Sequence, residues 1–223
     1  MDWLPAAVAA VVALPLGWLA ARNQHYLYTE PAYRAEPLGG SGGRLLPPFV
    51  AIGAAAATLL AFRPNHYDAG PALVAALFAA ALLVLASTDF ERRRLPNRLT
   101  YPAILAAIAV CWAWPDRSAA DIALGASVAL GIGAALFGLG LLTGAVLGVS
   151  ATAFGLGDVK LILLLGLLLG WPAVLGALFL GVIVAGIPAL AMMLRGRRRQ
   201  VYSYGPYLAF AGIVAILFPE RFL

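Results

Sequence analysis

Apolar runs broken by short polar stretches dominate this chain. They fall at about 3–21, 46–62, 71–88, 99–114, 119–142, 159–170, 172–194 and 204–218. Several approach the roughly 20 residues needed to cross a bilayer. Their Ala/Leu/Val/Gly stretches lack the period-two alternation of a membrane barrel. In lipid every backbone amide must be bonded internally, so such runs are expected as helices. The pattern predicts an all-α fold, a polytopic membrane helix bundle of about eight transmembrane helices, forming one integral membrane domain over 1–223. The sixth run is short and is expected to tilt or to extend into its flanks. The fifth stays apolar as far as Phe154, too long for one helix, which predicts a loop or re-entrant segment within 143–157. The run after Met1-Asp2-Trp3 has no basic residue ahead of it and reads as a retained helix, not a cleaved signal. Segment 22–45 is a short connection, and its Gly39-Gly40-Ser41-Gly42-Gly43 has the composition of a flexible linker. No internal repeat or inverted pair of broken helices is visible.

Composition agrees with this pattern. The 223 residues are 63% hydrophobic and 11% charged, whereas soluble domains average about 25% charged. Net charge is +5, and the basic residues sit beside the apolar runs, as topology signals do; no nucleic-acid partner is expected. With the N-terminus outside, the inner loops hold Arg22, Arg34, Arg44, Arg92, Arg93, Arg94, Arg98, Lys160, Arg195, Arg197, Arg198 and Arg199. Only Arg63, Arg117 and Arg221 remain outside, of 15 Lys and Arg in all. This bias predicts a cytoplasmic inner face. Trp112, Trp114 and Trp171 are expected in the interfacial aromatic belt. The single cysteine, Cys111, excludes an internal disulfide and a four-cysteine metal site. No metal or cofactor is expected.

Orientation matters because it puts two acids on the same face. Asp89 ends the run ALLVLASTD, and Asp158 closes Gly155-Leu156-Gly157-Asp158. An ionisable residue at the edge of hydrocarbon is costly and marks a candidate functional site. Gly155 and Gly157 permit dihedrals and close backbone approach that other residues do not, which would bring an extended substrate near Asp158. Taken alone, Asp158 reads equally well as an acidic residue in the first turn of a helix, in a chain with 24 glycines. Taken alone, Asp89 reads better as the salt-bridge partner of a topogenic loop, Phe90-Glu91-Arg92-Arg93-Arg94-Leu95-Pro96-Asn97-Arg98. Pro96 is expected to stop a helix there, and Asn97 to cap the next. Lys160, two residues from Asp158, is expected to point elsewhere and to anchor its helix at the headgroups, or else to contact substrate. Gly140, Gly144 and Gly148 have the small-xxx-small spacing of close helix packing.

Together the motifs resemble the type IV prepilin peptidases, members of the Gly-x-Gly-Asp class of intramembrane aspartic proteases. Those enzymes carry a first aspartate at the cytoplasmic end of a helix, then a short loop and Pro-Asn or Pro-Asp before Leu-Thr, as Asp89 to Pro102 do. Their second aspartate follows Gly-x-Gly and precedes x-Lys, as in Gly155 to Lys160. Near the C-terminus Phe/Tyr-Gly-Pro leads an apolar helix, as Tyr204-Gly205-Pro206 does here. The resemblance implies a bacterial-type plasma (inner) membrane enzyme. It would remove the short basic leader of a prepilin or pseudopilin at the cytoplasmic face, with Asp89 and Asp158 catalytic and Gly155, Gly157, Lys160, Pro96, Asn97, Gly205 and Pro206 shaping the site. Many members also carry two Cys-x-x-Cys pairs after the first span and methylate the new N-terminus. Segment 22–45 has no cysteine, so the resemblance implies a peptidase without the second activity.

As a dyad, two carboxylates close together cannot both ionise easily and would share a proton around one water. The ionised member takes a proton from water, and the neutral one polarises the carbonyl and later donates to the leaving amine. One mismatch is visible. The predicted inner face is rich in arginine, and a basic leader is repelled unless Glu30, Glu36, Glu91 or anionic lipid offsets it. Three other readings stand beside this one: a cation- or proton-coupled transporter, a non-catalytic assembly protein, and a presenilin-like protease. The last would carry Tyr-Asp in its first motif.

Overall fold

The computed structural model describes residues 3–30, 41–147, 155–195 and 203–222. Among these residues there are eight α-helices: α1 (Leu4–Arg22), α2 (Ser41–Ala61), α3 (Ala69–Arg92), α4 (Asn97–Ala109), α5 (Ala119–Leu147), α6 (Leu156–Leu169), α7 (Ala173–Leu194) and α8 (Gly205–Leu217). No strand occurs among the described residues. Among the described residues four segments are long and apolar enough to cross a membrane: Leu4–Arg22, Ala69–Arg92, Ala119–Thr143 and Ala173–Met192. Leu45–Ala61 and Gly205–Leu217 are shorter apolar helices.

The helix ends depart from the apolar runs in instructive places. α3 runs on through Asp89 to Arg92, because Glu and Arg propagate a helix as well as leucine does. α5 extends to Leu147, so 143–147 are helical and not part of the expected break; 148–154 lie outside the described residues. α2 begins at Ser41, inside the glycine-rich stretch expected as linker. Residues 31–40 lie outside the described residues, and Gln24–Leu27 form a short 3-10 turn.

α3, α6 and α8 form the centre. α3 packs on α8, α8 on α6 and α7, and α6 on α4 and α5, while α2 joins α1 to α3. α6 is apolar all round, and Leu161, Ile162, Leu164, Leu165, Leu168 and Leu169 are buried against Leu82, Leu85, Leu208 and Ile216. Lipid offers no hydrophobic drive between helices, so close backbone approach does the packing. A Cβ on Gly17 would lie 3.0 Å from Ala54 Cβ, and one on Gly166 would lie 2.6 Å from Ala129 Cβ. The α5 contacts run through Gly125, Ala129 and Gly133. Of the expected Gly140, Gly144 and Gly148 stripe, Gly140 is buried, and Gly148 lies outside the described residues.

Two short helices end on arginines at the end of the bundle away from Asp158. The last carbonyls of a helix have no partner within it and need donors from elsewhere. Arg63 Nη1 donates to Leu217 O (2.7 Å), and Tyr67 Oη donates to Ile216 O (3.0 Å), at the end of α8. The buried Arg117 donates to Leu168 O near the end of α6, pairs with Asp116 at 2.8 Å and lies 4.6 Å over the Trp114 ring. Trp114 is therefore a core residue, 3% exposed, and not a member of the aromatic belt; Trp112 is 82% exposed. Arg117→Leu strands both Asp116 and a helix-terminal carbonyl. It is expected to lower stability by about 3 kcal/mol, read as a fall in Tm in detergent micelles.

Candidate active site

Asp89 lies in the last turn of α3, and its neighbours fix it there. Thr88 Oγ1 donates to Leu85 O (2.8 Å), and Ser87 Oγ donates to Gln24 Oε1 (2.5 Å). Gln24 Nε2 then donates to Glu91 Oε2 (2.8 Å). This buried chain of hydrogen bonds ties the turn after α1 to the end of α3. A satisfied polar network of this kind holds one geometry. α3 stops at Arg93, which takes the left-handed conformation (φ 53°) and returns its N–H to Asp89 O at 2.8 Å. The helix has thus ended before Pro96.

The Asp89 carboxylate reaches across to α8. Its Oδ2 accepts the Gly205 N–H at 3.0 Å and the Ser203 hydroxyl. Pro206 occupies the first turn of α8, where its missing N–H costs nothing. A Cβ on Gly205 would collide with Asp89 Oδ2 and lie 3.0 Å from Cγ. The glycine of Tyr-Gly-Pro is therefore the surface on which the first aspartate rests.

Asp158 occupies the first turn of α6, and its Oδ2 accepts the Gly155 N–H at 3.0 Å, capping its own helix. The two glycines before it act differently from expectation. Gly155 is extended (φ −94°, ψ 159°), a conformation open to any residue, and a Cβ there would meet Asp158 Oδ2 at an ordinary 3.7 Å. Gly157 is the crowded one, since its Cβ would lie 3.3 Å from Leu95 Cδ1. It lets the Asp89–Pro96 loop close on α6.

Asn97 is not the cap of α4. Pro96 holds that position, and its carbonyl accepts Thr100 Oγ1 at 3.0 Å. Asn97 Oδ1 instead accepts Lys160 Nζ at 2.8 Å, and the same ammonium lies 4.6 Å over the Tyr101 ring. Lys160 therefore does not point away from Asp158. Its stem swings it back to the same cavity, where it links α6 to α4.

Asp89, Asp158, Asn97 and Lys160 converge on one cavity of about 290 Å³, lined by Tyr28, Thr29, Glu30, Asp89, Arg93, Arg94, Leu95, Pro96, Asn97, Gly155, Gly157, Asp158 and Lys160. Both aspartates line it, and Asp158 lies within electrostatic reach of Asp89. Of the residues picked out from the sequence, Gly205 and Pro206 do not line the cavity; Gly205 bears on Asp89, and Pro206 follows it in the first turn of α8. Tyr28, Ser203 and Gln24 carried no sequence signal, because each acts through a partner at least 60 residues away. Burial pushes the Tyr28 hydroxyl up to about 12, so near neutral pH it is a donor and not a base. Among the described residues no cluster of three or more His, Cys, Asp or Glu has the arrangement of a metal site.

The sequence model of the type IV leader peptidase family matches residues 76–190, which include both aspartates. A prepilin leader peptidase/N-methyltransferase of Burkholderia pseudomallei (strain 1026b) is 32% identical over 176 residues, 78% of this chain and 54% of that protein. The proteins of the same name from Aeromonas hydrophila and Aeromonas salmonicida (strain A449) are each 30% identical over 151 residues, 66% of this chain and 50% of their own. The chain spans about half the length of the curated relatives it matches. No solved structure matches it.

Proposed function

Because the chain belongs to the type IV leader peptidase family, we propose that it is an intramembrane aspartic endopeptidase. Its substrate is a prepilin or pseudopilin, and it removes the short basic leader at the cytoplasmic membrane face. One observation carries the reading: two carboxylates from helices far apart in the sequence, Asp89 and Asp158, line the same cavity at one end of an apolar bundle.

Each aspartate is anchored through Oδ2, which leaves the other oxygen of each carboxylate for water and substrate. Asp89 accepts two hydrogen bonds and lies in the field of Arg93, whereas Asp158 accepts one. Hydrogen bonds and cations favour an ionised carboxylate. Of the two, Asp89 is therefore the better placed to take a proton from the shared water. Asp158 keeps its proton for the substrate carbonyl and later gives it to the leaving amine. Tyr28, on the same wall, donates its hydroxyl to Thr88 O at 3.5 Å and so braces the residue beside Asp89. The relatives' names include N-methyltransferase. This reading leaves that activity out, because 22–45 carries no cysteine.

The test is co-reconstitution of the chain with candidate prepilins in vesicles, with the product read by intact mass. The expected product is shortened and unmethylated; full-length prepilin in every case overturns the reading. The motif glycines are expected to separate in the same assay. Gly155→Ala leaves Tm unchanged but puts a methyl on the cavity wall and lowers kcat/KM. Gly157→Ala presses on Leu95 and costs about 1 kcal/mol of stability as well.

A further inference from the structure

We propose that Glu30 receives the cationic side chains of the leader, and that Arg94 holds its place until the leader displaces it. The inference rests on the prepilin peptidase reading above and names the group that confers charge specificity on the same site.

The cavity presents three cations, Arg93, Arg94 and Lys160, to any peptide that enters it. A basic leader needs an acid there whose present partner it can displace. Asp89 and Asp158 are committed to backbone amides and to the reaction. Glu91 is turned inward, bonded to Gln24 and facing Arg92 at 3.7 Å, and does not line the cavity. Glu30 does line it, and its side chain is 59% exposed. Both its oxygens accept from Arg94 Nη1 at 3.0 Å.

This pair is built for exchange. A carboxylate bonded to a guanidinium is already shaped for a second guanidinium or an ammonium. The Arg94 side chain is 51% exposed, and exposed ion pairs contribute little net free energy, so swapping one cation for another is nearly isoenergetic. Arg94 has a long stem that can carry its charge out to water or lipid headgroups. Lys160 stays fixed on Asn97 and Tyr101, and so does not compete for Glu30.

A plain strut between the 23–30 turn and the Asp89–Pro96 loop would use the same two side chains, and the experiment separates the two roles by sign. The full chain is reconstituted with a prepilin that the wild type cleaves, bearing either its native leader or one with every Lys and Arg changed to Gln. Glu30→Gln is expected to lower the ratio of kcat/KM for basic over neutral leader about fivefold, through KM. Arg94→Gln, which frees the acceptor, is expected to raise that ratio. Glu30→Lys is expected to favour a leader carrying Glu. A strut predicts that Glu30→Gln and Arg94→Gln fall together, with both leaders alike and with lower Tm; that result overturns the proposal, as does a wild type indifferent to leader charge. Failure of the underlying reading is distinct: cleavage would then survive loss of Asp89 or Asp158.

Discussion

Asp89→Asn and Asp158→Asn are each expected to slow leader cleavage by at least about 10³-fold, while expression and Tm stay close to wild type. The two halves of this expectation have separate physical grounds. Asparagine keeps an acceptor oxygen where Asp89 receives Gly205 N–H and Ser203, and where Asp158 receives Gly155 N–H. The loop and both helix ends therefore keep their hydrogen bonds. The amide, however, neither accepts a proton from water nor delivers one to an amine. With wild type, a shared proton requires a bell-shaped dependence of kcat/KM on pH, lost on the acid side when both groups are protonated and on the basic side when neither is. Each variant should lose the amplitude of the bell and not merely shift it. Near-wild-type turnover by either one sinks the dyad.

Gly205→Ala is expected to cost about 10²-fold in kcat with a much smaller loss of Tm. The glycine is at the head of α8, and the space for its missing side chain is occupied by the Asp89 carboxylate. A methyl there drives the carboxylate off the Gly205 N–H or pushes the start of α8 outward, and either displacement misplaces the reacting oxygen. Gly70→Ala provides the control, since a Cβ at that helical glycine meets nothing within 4 Å. Equal activity of the two alanine variants would mean that Gly205 serves only the packing of α8.

The helical class and the shared end of the two aspartates were legible in the sequence, because both follow from one-dimensional signals: apolar run length and the count of basic residues on alternate loops. The limits came where a residue's role is set across the chain. Asn97 reads as a cap from its place after Pro96, yet its amide is used by Lys160, 63 positions away. On a helical wheel Lys160 points away from Asp158, but a four-carbon stem in a first turn is free to fold back over the helix end. Gly155 and Gly157 look alike in the motif, and only the position of Leu95 tells them apart. The Tyr-Gly-Pro motif was visible, but its bond to Asp89 spans 116 residues and leaves no local trace. Gln24, buried at 1% exposure, sits in a polar segment that gave no reason to expect a core residue.

The arginine caps on α6 and α8 have a consequence for how the molecule yields. Both helices are gripped at their far ends by Arg117 and Arg63 and meet the aspartates at their near ends, so they act as fixed pillars. Among the described residues α1 has no arginine cap of this kind; Asn23, in the turn after it, donates to Leu19 O at 2.9 Å. Few of its residues are buried, and with Val50 and Val84 its Ala21 forms a small cluster apart from the main core. The cheapest local opening in the bundle accordingly starts at α1 and α2, next to the turn that carries Tyr28 and Glu30. Amide exchange should be fastest along that flank and slowest in α6, which leaves the pillars standing while the wall beside them gives way to an incoming helix.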